Sequence, residues 1–174
     1  MVDILYEDNH IIVVIKPQNI PSQSDESGDL DMLTMVKQYI KEKYNKPGNA
    51  YVGLVHRLDR PTGGIMVFAK TSKSAKRLCE QIKTKDFQKR YLCVVCGLPK
   101  YRNATLVDYL KKDEKTNIVK IVPQSEVGAK KAELDYNVFD FCENKYSLVE
   151  VLLKTGRSHQ IRVQMSNIKT PLFG

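Results

Sequence analysis

The fold of this chain turns on the stretch Val55-His56-Arg57-Leu58-Asp59-Arg60-Pro61-Thr62-Gly63-Gly64-Ile65-Met66-Val67-Phe68-Ala69-Lys70-Thr71. Two arginines, a histidine and a carboxylate fall within five residues, and the chain then turns through Pro61, Gly63 and Gly64. The apolar run 65–69 that follows has the length and composition of a buried strand. Asp59 is therefore a lone acid between Arg57 and Arg60, on a loop anchored to a core strand. Positive charge on both sides favours the ionised form of such a carboxylate. Taken alone, the pattern is also that of a surface Arg–Asp ion pair beside a turn, and the rest of the chain has to decide.

Composition narrows the choice. The sequence has 174 residues, 42% hydrophobic and 28% charged, enough to bury a core and unlike a disordered polymer. We expect a single domain over residues 1–174. Its formal net charge of +8 implies a polyanionic partner and leaves RNA, DNA and anionic membrane open. No apolar run reaches the length of a transmembrane helix. The first residues include Asp3, Glu7 and Asp8 and lack a basic signal-peptide region, so a cytoplasmic location is expected. Four cysteines (Cys79, Cys93, Cys96, Cys142) are too few for a disulfide scaffold. Cys93 and Cys96 have redox-motif spacing, but they lie in a β-branched run where residues three apart face opposite ways, and no second Cys/His pair accompanies them.

Outward from the central stretch, residues 4–6 and 11–15 have strand character and are separated by a turn-prone Glu7-Asp8-Asn9-His10. Pro17 ends the second strand. A loop over 18–29 precedes a helix over 30–44, with Leu33, Val36, Tyr39 and Ile40 at helical spacing. The segment 45–50 breaks that helix, and 51–55 form a short strand. After the central stretch, Ser72 is the candidate N-cap of a helix to Lys83 with Ala75, Leu78, Cys79 and Ile82 buried. Residues 70–90 hold eight basic side chains against two acids, among them Lys70, Lys73, Lys76, Arg77, Lys83, Lys85, Lys89 and Arg90. Such a run forms either a solvated helix face or a phosphate-binding surface. Strands are expected over 90–97, 104–110, 118–122, 128–138 and 146–153. A last helix takes its spacing from Ile161, Met165 and Ile168, with Ser158 as candidate cap. The pattern predicts an α+β fold: a mixed, largely antiparallel sheet core with a few flanking helices.

Four segments in order resemble the RluA-type RNA pseudouridine synthases. His56 to Gly64 with Phe68-Ala69-Lys70 resembles their catalytic motif. Ile4 to Asp8 with Val13 to Pro17 resembles the N-terminal motif, Lys89-Arg90-Tyr91-Leu92 the strand with the active-site tyrosine, and Thr155 to Arg162 the C-terminal motif. Thr62-Gly63-Gly64 departs from a more usual Thr-Ser-Gly. An S4-like extension before the catalytic region is not expected. The family's Asp-x-x-Tyr-Gly segment would follow Gly174, so the resemblance implies a truncated chain or a short member.

The resemblance implies a catalytic trio of Asp59, Tyr91 and Arg162. Asp59 would act as nucleophile at C1′ or as base at C2′. Arg162 would orient the carboxylate and keep it ionised, and Tyr91 would lie against the uracil. Arg57 would fill the space left by a flipped base, His56 would support the loop, and Ile161 would pack beneath the base or in the core. Arg60, Arg157, Lys70 and Lys73 would meet RNA phosphates. The isomerisation oxidises nothing and releases nothing, so no metal or other cofactor is expected. RNA, ribosomal or transfer, is the expected partner, with no membrane and a monomeric chain. Two alternatives remain open: a non-catalytic RNA-binding module of the same fold, and an RNA nuclease or glycosidase, which would need a second carboxylate such as Glu80 or Asp86.

Overall fold

The structure, a computed structural model, describes residues 2–45, 47–84, 86–143 and 145–174. Lys46 of the expected helix break and Lys85 of the basic run therefore lie outside the described residues. The strands are β1 (Asp3–Glu7), β2 (Ile11–Lys16), β3 (Gly53–Leu54), β4 (Gly64–Ala69), β5 (Lys89–Cys96), β6 (Asn103–Lys112), β7 (Val119–Ile121), β8 (Lys130–Cys142) and β9 (Tyr146–Leu153). The helices are α1 (Met32–Lys43), α2 (Ser72–Thr84) and α3 (Gln160–Asn167). The chain divides into two units, Met1–Phe87 and Gln88–Gly174. The class is α+β as expected, and every pairing between the named strands is antiparallel.

In the first unit the sheet runs β1-β2-β4-β3. Alternation along β2 buries Ile12, Val14 and Lys16 on one face, opposite Phe68, Met66 and Gly64 of β4. Each large apolar side chain so buried contributes about 1.5–3 kcal/mol. Helix α1 buries a single stripe, Met32, Val36 and Ile40. Asp31 caps it, its carboxylate accepting from Thr34 N–H at 3.0 Å. Glu7, at the end of β1, ties the C-terminus of α1 to the sheet, accepting from Tyr39, Lys43, Tyr44 and Lys70.

The cap of α2 differs from expectation. Ser72 is already helical, and Thr71 does the capping: its hydroxyl accepts from Ser74 N–H at 3.1 Å, while Ser74 Oγ accepts from Thr71 N–H at 3.2 Å. Ser74 is buried because its hydroxyl also donates to the His10 carbonyl at 2.7 Å. Cys79, expected inside, is exposed.

The second unit's sheet runs β5-β9-β8-β6-β7. Its inner face, with α3, encloses Val95, Leu134, Tyr136, Val138, Val149, Val151 and Met165. Strand β8 continues to Cys142, four residues past the expected end, through an irregularity between Val138 and Asp140. All four cysteines are free, and burial pushes the Cys93 thiol up to about 11, as befits an inert core thiol. Helix α3 starts at Gln160 after His159 in the left-handed region (φ 51°), and Ser158 does not cap it. The side chain of Gln160 instead ties the preceding turn to the helix, accepting from Arg157 N–H at 3.0 Å.

Candidate active site

The Asp59 loop joins β3 to β4 and is held from beneath. Lys16 lies on the buried face of β2 in line with Ile12 and Val14, and its residue is 0% exposed. Its ammonium donates to three carbonyls, Arg60 at 3.0 Å, Pro17 at 3.0 Å and Ile20 at 2.6 Å. Burial pushes the Lys16 pKa below its ordinary value; the Asp59 charge opposes that shift and the Arg60 charge adds to it. Ser22 holds the preceding residue from both sides, donating to the Leu58 carbonyl at 2.7 Å and accepting its N–H at 3.1 Å. A turn closes when Thr62 N–H meets the Asp59 carbonyl at 2.9 Å. Gly64 then re-enters the sheet at φ +145°, a conformation that L side chains rarely adopt.

On this loop Asp59 is exposed, and among the described residues its carboxylate makes no hydrogen bond or ion pair. Of the two flanking arginines, only Arg57 is comparable: it is exposed and, among the described residues, unpaired. Arg60 is turned to the 25–29 loop, donating to Ser27 at 3.0 Å and pairing with Asp29 and, at 3.8 Å, Asp25. Arg60, expected to meet RNA phosphate, is thus engaged by acids of a different loop. His56 has a fixed structural contact, its Nε2 accepting from Val67 N–H at 3.1 Å where β3 has ended and left that N–H without a strand partner. Its ring lies 6.0 Å from that of Phe87. Lys70 is enclosed: it pairs with Glu7 at 2.7 Å and donates to the Asp8 carbonyl at 2.6 Å. Lys73 is exposed on α2 together with Lys76, Arg77 and Lys83.

In the second unit, Tyr91 on β5 and Ile161 on α3 are both half-buried against the same apolar core. Arg162, the next residue on α3, is exposed and donates to the Gly174 carbonyl at 3.1 Å. Arg157 is exposed, its Nε donating to the Lys131 carbonyl at 2.9 Å. Gln160 is the residue that sequence reasoning missed. It is 2% exposed, accepts from Thr155 Oγ1 at 2.8 Å and donates to the Glu133 carbonyl and Gln164, the latter in turn bonded to Asp108. This buried chain of amides fixes the start of the helix that carries Ile161 and Arg162.

Asp59 thus lies on a braced loop of the first unit, and Tyr91 and Arg162 lie on a core strand and a fixed helix of the second. The sequence matches the RNA pseudouridylate synthase family over residues 10–167. The chain belongs to that family. By family it is an isomerase that acts on RNA. The tRNA pseudouridine synthase C of Pasteurella multocida is 32% identical over 99% of this chain and 72% of its own length. The ribosomal large subunit pseudouridine synthase C of Buchnera aphidicola subsp. Baizongia pistaciae is 31% identical over 97% of this chain, which spans 51% of that relative. Among solved structures, human RNA pseudouridylate synthase domain containing 4 superposes with a TM-score of 0.82 at 23% identity, over 99% of this chain and 67% of the human one. That likeness concerns the fold. Among the described residues no helix is long and apolar enough to cross a membrane.

Proposed function

We propose that this chain converts uridine to pseudouridine in transfer or ribosomal RNA, with Asp59 as the reacting carboxylate. The observation that carries the reading is the exposed, unpaired Asp59 on a loop braced by buried Lys16 and Ser22. A carboxylate left free of partners is available to a ribose, and a rigid loop keeps it in position. The C1′–N1 bond breaks, the uracil rotates, C5 bonds to C1′, and the C5 proton leaves. Asp59 serves this either by attacking C1′ or by removing the C2′ proton. Tyr91 stacks on the uracil, with its hydroxyl toward the departing proton. Arg162 orients the Asp59 carboxylate. Arg57, unpaired on the same loop, occupies the stack once the base has flipped out, a step that costs a few kcal/mol.

Phosphate contact falls to the exposed cations Lys73, Lys76, Arg77 and Lys83 of α2 and to Arg157. Lys70 and Arg60 act as braces, because both already have acidic partners. The names of the two relatives point to transfer RNA and to large-subunit ribosomal RNA as the pools to try first. Each pool, prepared from cells lacking the gene, is incubated with the protein, digested to nucleosides and resolved chromatographically. A gain of pseudouridine at discrete positions in one pool is the expected result. No gain in either pool would overturn the proposal.

A further inference from the structure

In the second unit, the cations nearest the β9–α3 turn divide into those joined to acids and two that are not. Lys131 is joined to Glu133 at 2.8 Å, Lys154 to Asp135 at 2.7 Å and Arg90 to Glu150 at 3.2 Å. These take up the acids on the strands around the β9–α3 turn. Between them lie Lys89, the first residue of β5, and Arg157, in the turn after β9. Lys89 is opposite Leu153 in the ladder, which brings its side chain over the turn that begins two residues later. There the ammonium rests on the backbone, so close that a Cβ added at Gly156 would lie 3.3 Å from Nζ. A side chain at 156 would have to push the lysine head aside by a few tenths of an ångström, and glycine leaves it in place.

Lys89 is half-buried and, among the described residues, has no acidic partner and no hydrogen bond. Burial, and then the like charge of Arg157, push its pKa below the ordinary lysine value. Arg157 is held in place without neutralisation: its Nε donates to the Lys131 carbonyl and its N–H to Gln160 Oε1. Two cations held near each other, one partly desolvated, form an incomplete arrangement that a bound anion relieves. Tyr91 is two residues along β5 from Lys89, hence on the same face and roughly 7 Å away along the strand. That distance suits a phosphate of the nucleotide whose base meets Tyr91.

We propose that Lys89 and Arg157, closing over Gly156, form one site for a single RNA phosphodiester next to the reacting uridine. The assignment of that phosphate to the target nucleotide rests on the pseudouridylation reading above. The grip on a phosphate does not. The site fixes where the strand lies relative to Tyr91 and reads no base.

The test measures binding of a fluorescein-labelled, single-stranded uridine-containing RNA by anisotropy over a range of salt concentrations, for the full chain and for Lys89→Met, Arg157→Gln and the double variant. Each neutralised phosphate contributes about 0.7 to the slope of log affinity against log salt for single strands. Both single variants are expected to bind more weakly. The double variant should lose about 0.7 of slope, one phosphate's worth, and Lys89→Arg should retain the wild-type slope. An unchanged slope in the double variant overturns the site, and a loss of about 1.4 overturns a shared phosphate in favour of two separate contacts. Should Lys89→Met fail to fold, Arg157→Gln tested with RNA carrying single methylphosphonate links decides instead. One link must weaken the wild type without further weakening the variant, and additive losses at every link overturn the site. Pseudouridine formation by the wild type is read in parallel on the transfer and ribosomal RNA pools described above. Lost slope with no pseudouridine refutes the pseudouridylation reading and keeps the phosphate site, whereas pseudouridine with unchanged slope does the reverse.

Discussion

At the level of single residues, a buried cation braces the loop that carries an exposed anion. Lys16 gives its three protons to the carbonyls of Pro17, Ile20 and Arg60, and thereby joins β2, the following loop and the Asp59 loop at one point. Replacement by methionine keeps the aliphatic stem in its apolar surroundings but leaves those carbonyls short of a donor. The loss of the hydrogen bonds outweighs the relief of removing a buried charge, for a net cost of about 2 kcal/mol. Urea denaturation of Lys16→Met should show a lower midpoint at unchanged slope. Its isomerase activity should fall further than the lost stability explains, because the loop is no longer braced. A variant as stable and active as the wild type would show that Lys16 merely fills space.

At the scale of elements, the turn into β4 depends on two glycines with different demands. Gly64 sits at φ +145° and pairs with Lys16, so any side chain there is strained, at about 1–3 kcal/mol. Gly63 lies outside that positive-φ region, and an added Cβ would meet the flexible Gln18 side chain at 3.3 Å. Thermal denaturation should therefore separate Gly64→Ala, clearly destabilised, from Gly63→Ser, within about 1 kcal/mol of the wild type. Equal effects would contradict the assignment of the strained position to 64.

These elements also show how much was legible. The apolar run 65–69 and the alternation of β2 announce themselves through period two, and the same alternation carries Lys16 inward, a signal available in the sequence but easily set aside for a lysine. Arg60 defeated local reasoning because its partners, Asp25 and Asp29, are some thirty residues away, and nearest-neighbour charge says nothing of such pairings. Gln160 was invisible for a similar reason. A glutamine at a helix start reads as solvated until the fold supplies the Glu133 carbonyl and Gln164 as partners.

At the scale of the whole molecule, each unit has its own polar fastening, and that of the first unit makes stability depend on pH. Burial alone would raise the Glu7 carboxyl, but hydrogen bonds from Lys43, Lys70, Tyr44 and Tyr39 bring it from 4.5 to about 2. Because the folded-state value lies below the unfolded one, the contribution is complete above pH 4.5 and disappears as the pH falls towards 2. With the side chain 8% exposed, the full effect is about 2–3 kcal/mol. Stability of Glu7→Gln should fall below the wild type by that amount near neutrality and converge with it in acid. A gap independent of pH would place the effect in packing.

The proposed catalytic groups are divided between the units, Asp59 in the first and Tyr91 and Arg162 in the second, and the reaction depends above all on the carboxylate. RNA carrying tritium at uracil C5 tests it most directly. The wild type should release tritium to water, and Asp59→Asn should release it at least about a thousand-fold more slowly while binding the same RNA with similar affinity. Tritium release by Asp59→Asn at a rate near that of the wild type would contradict the account.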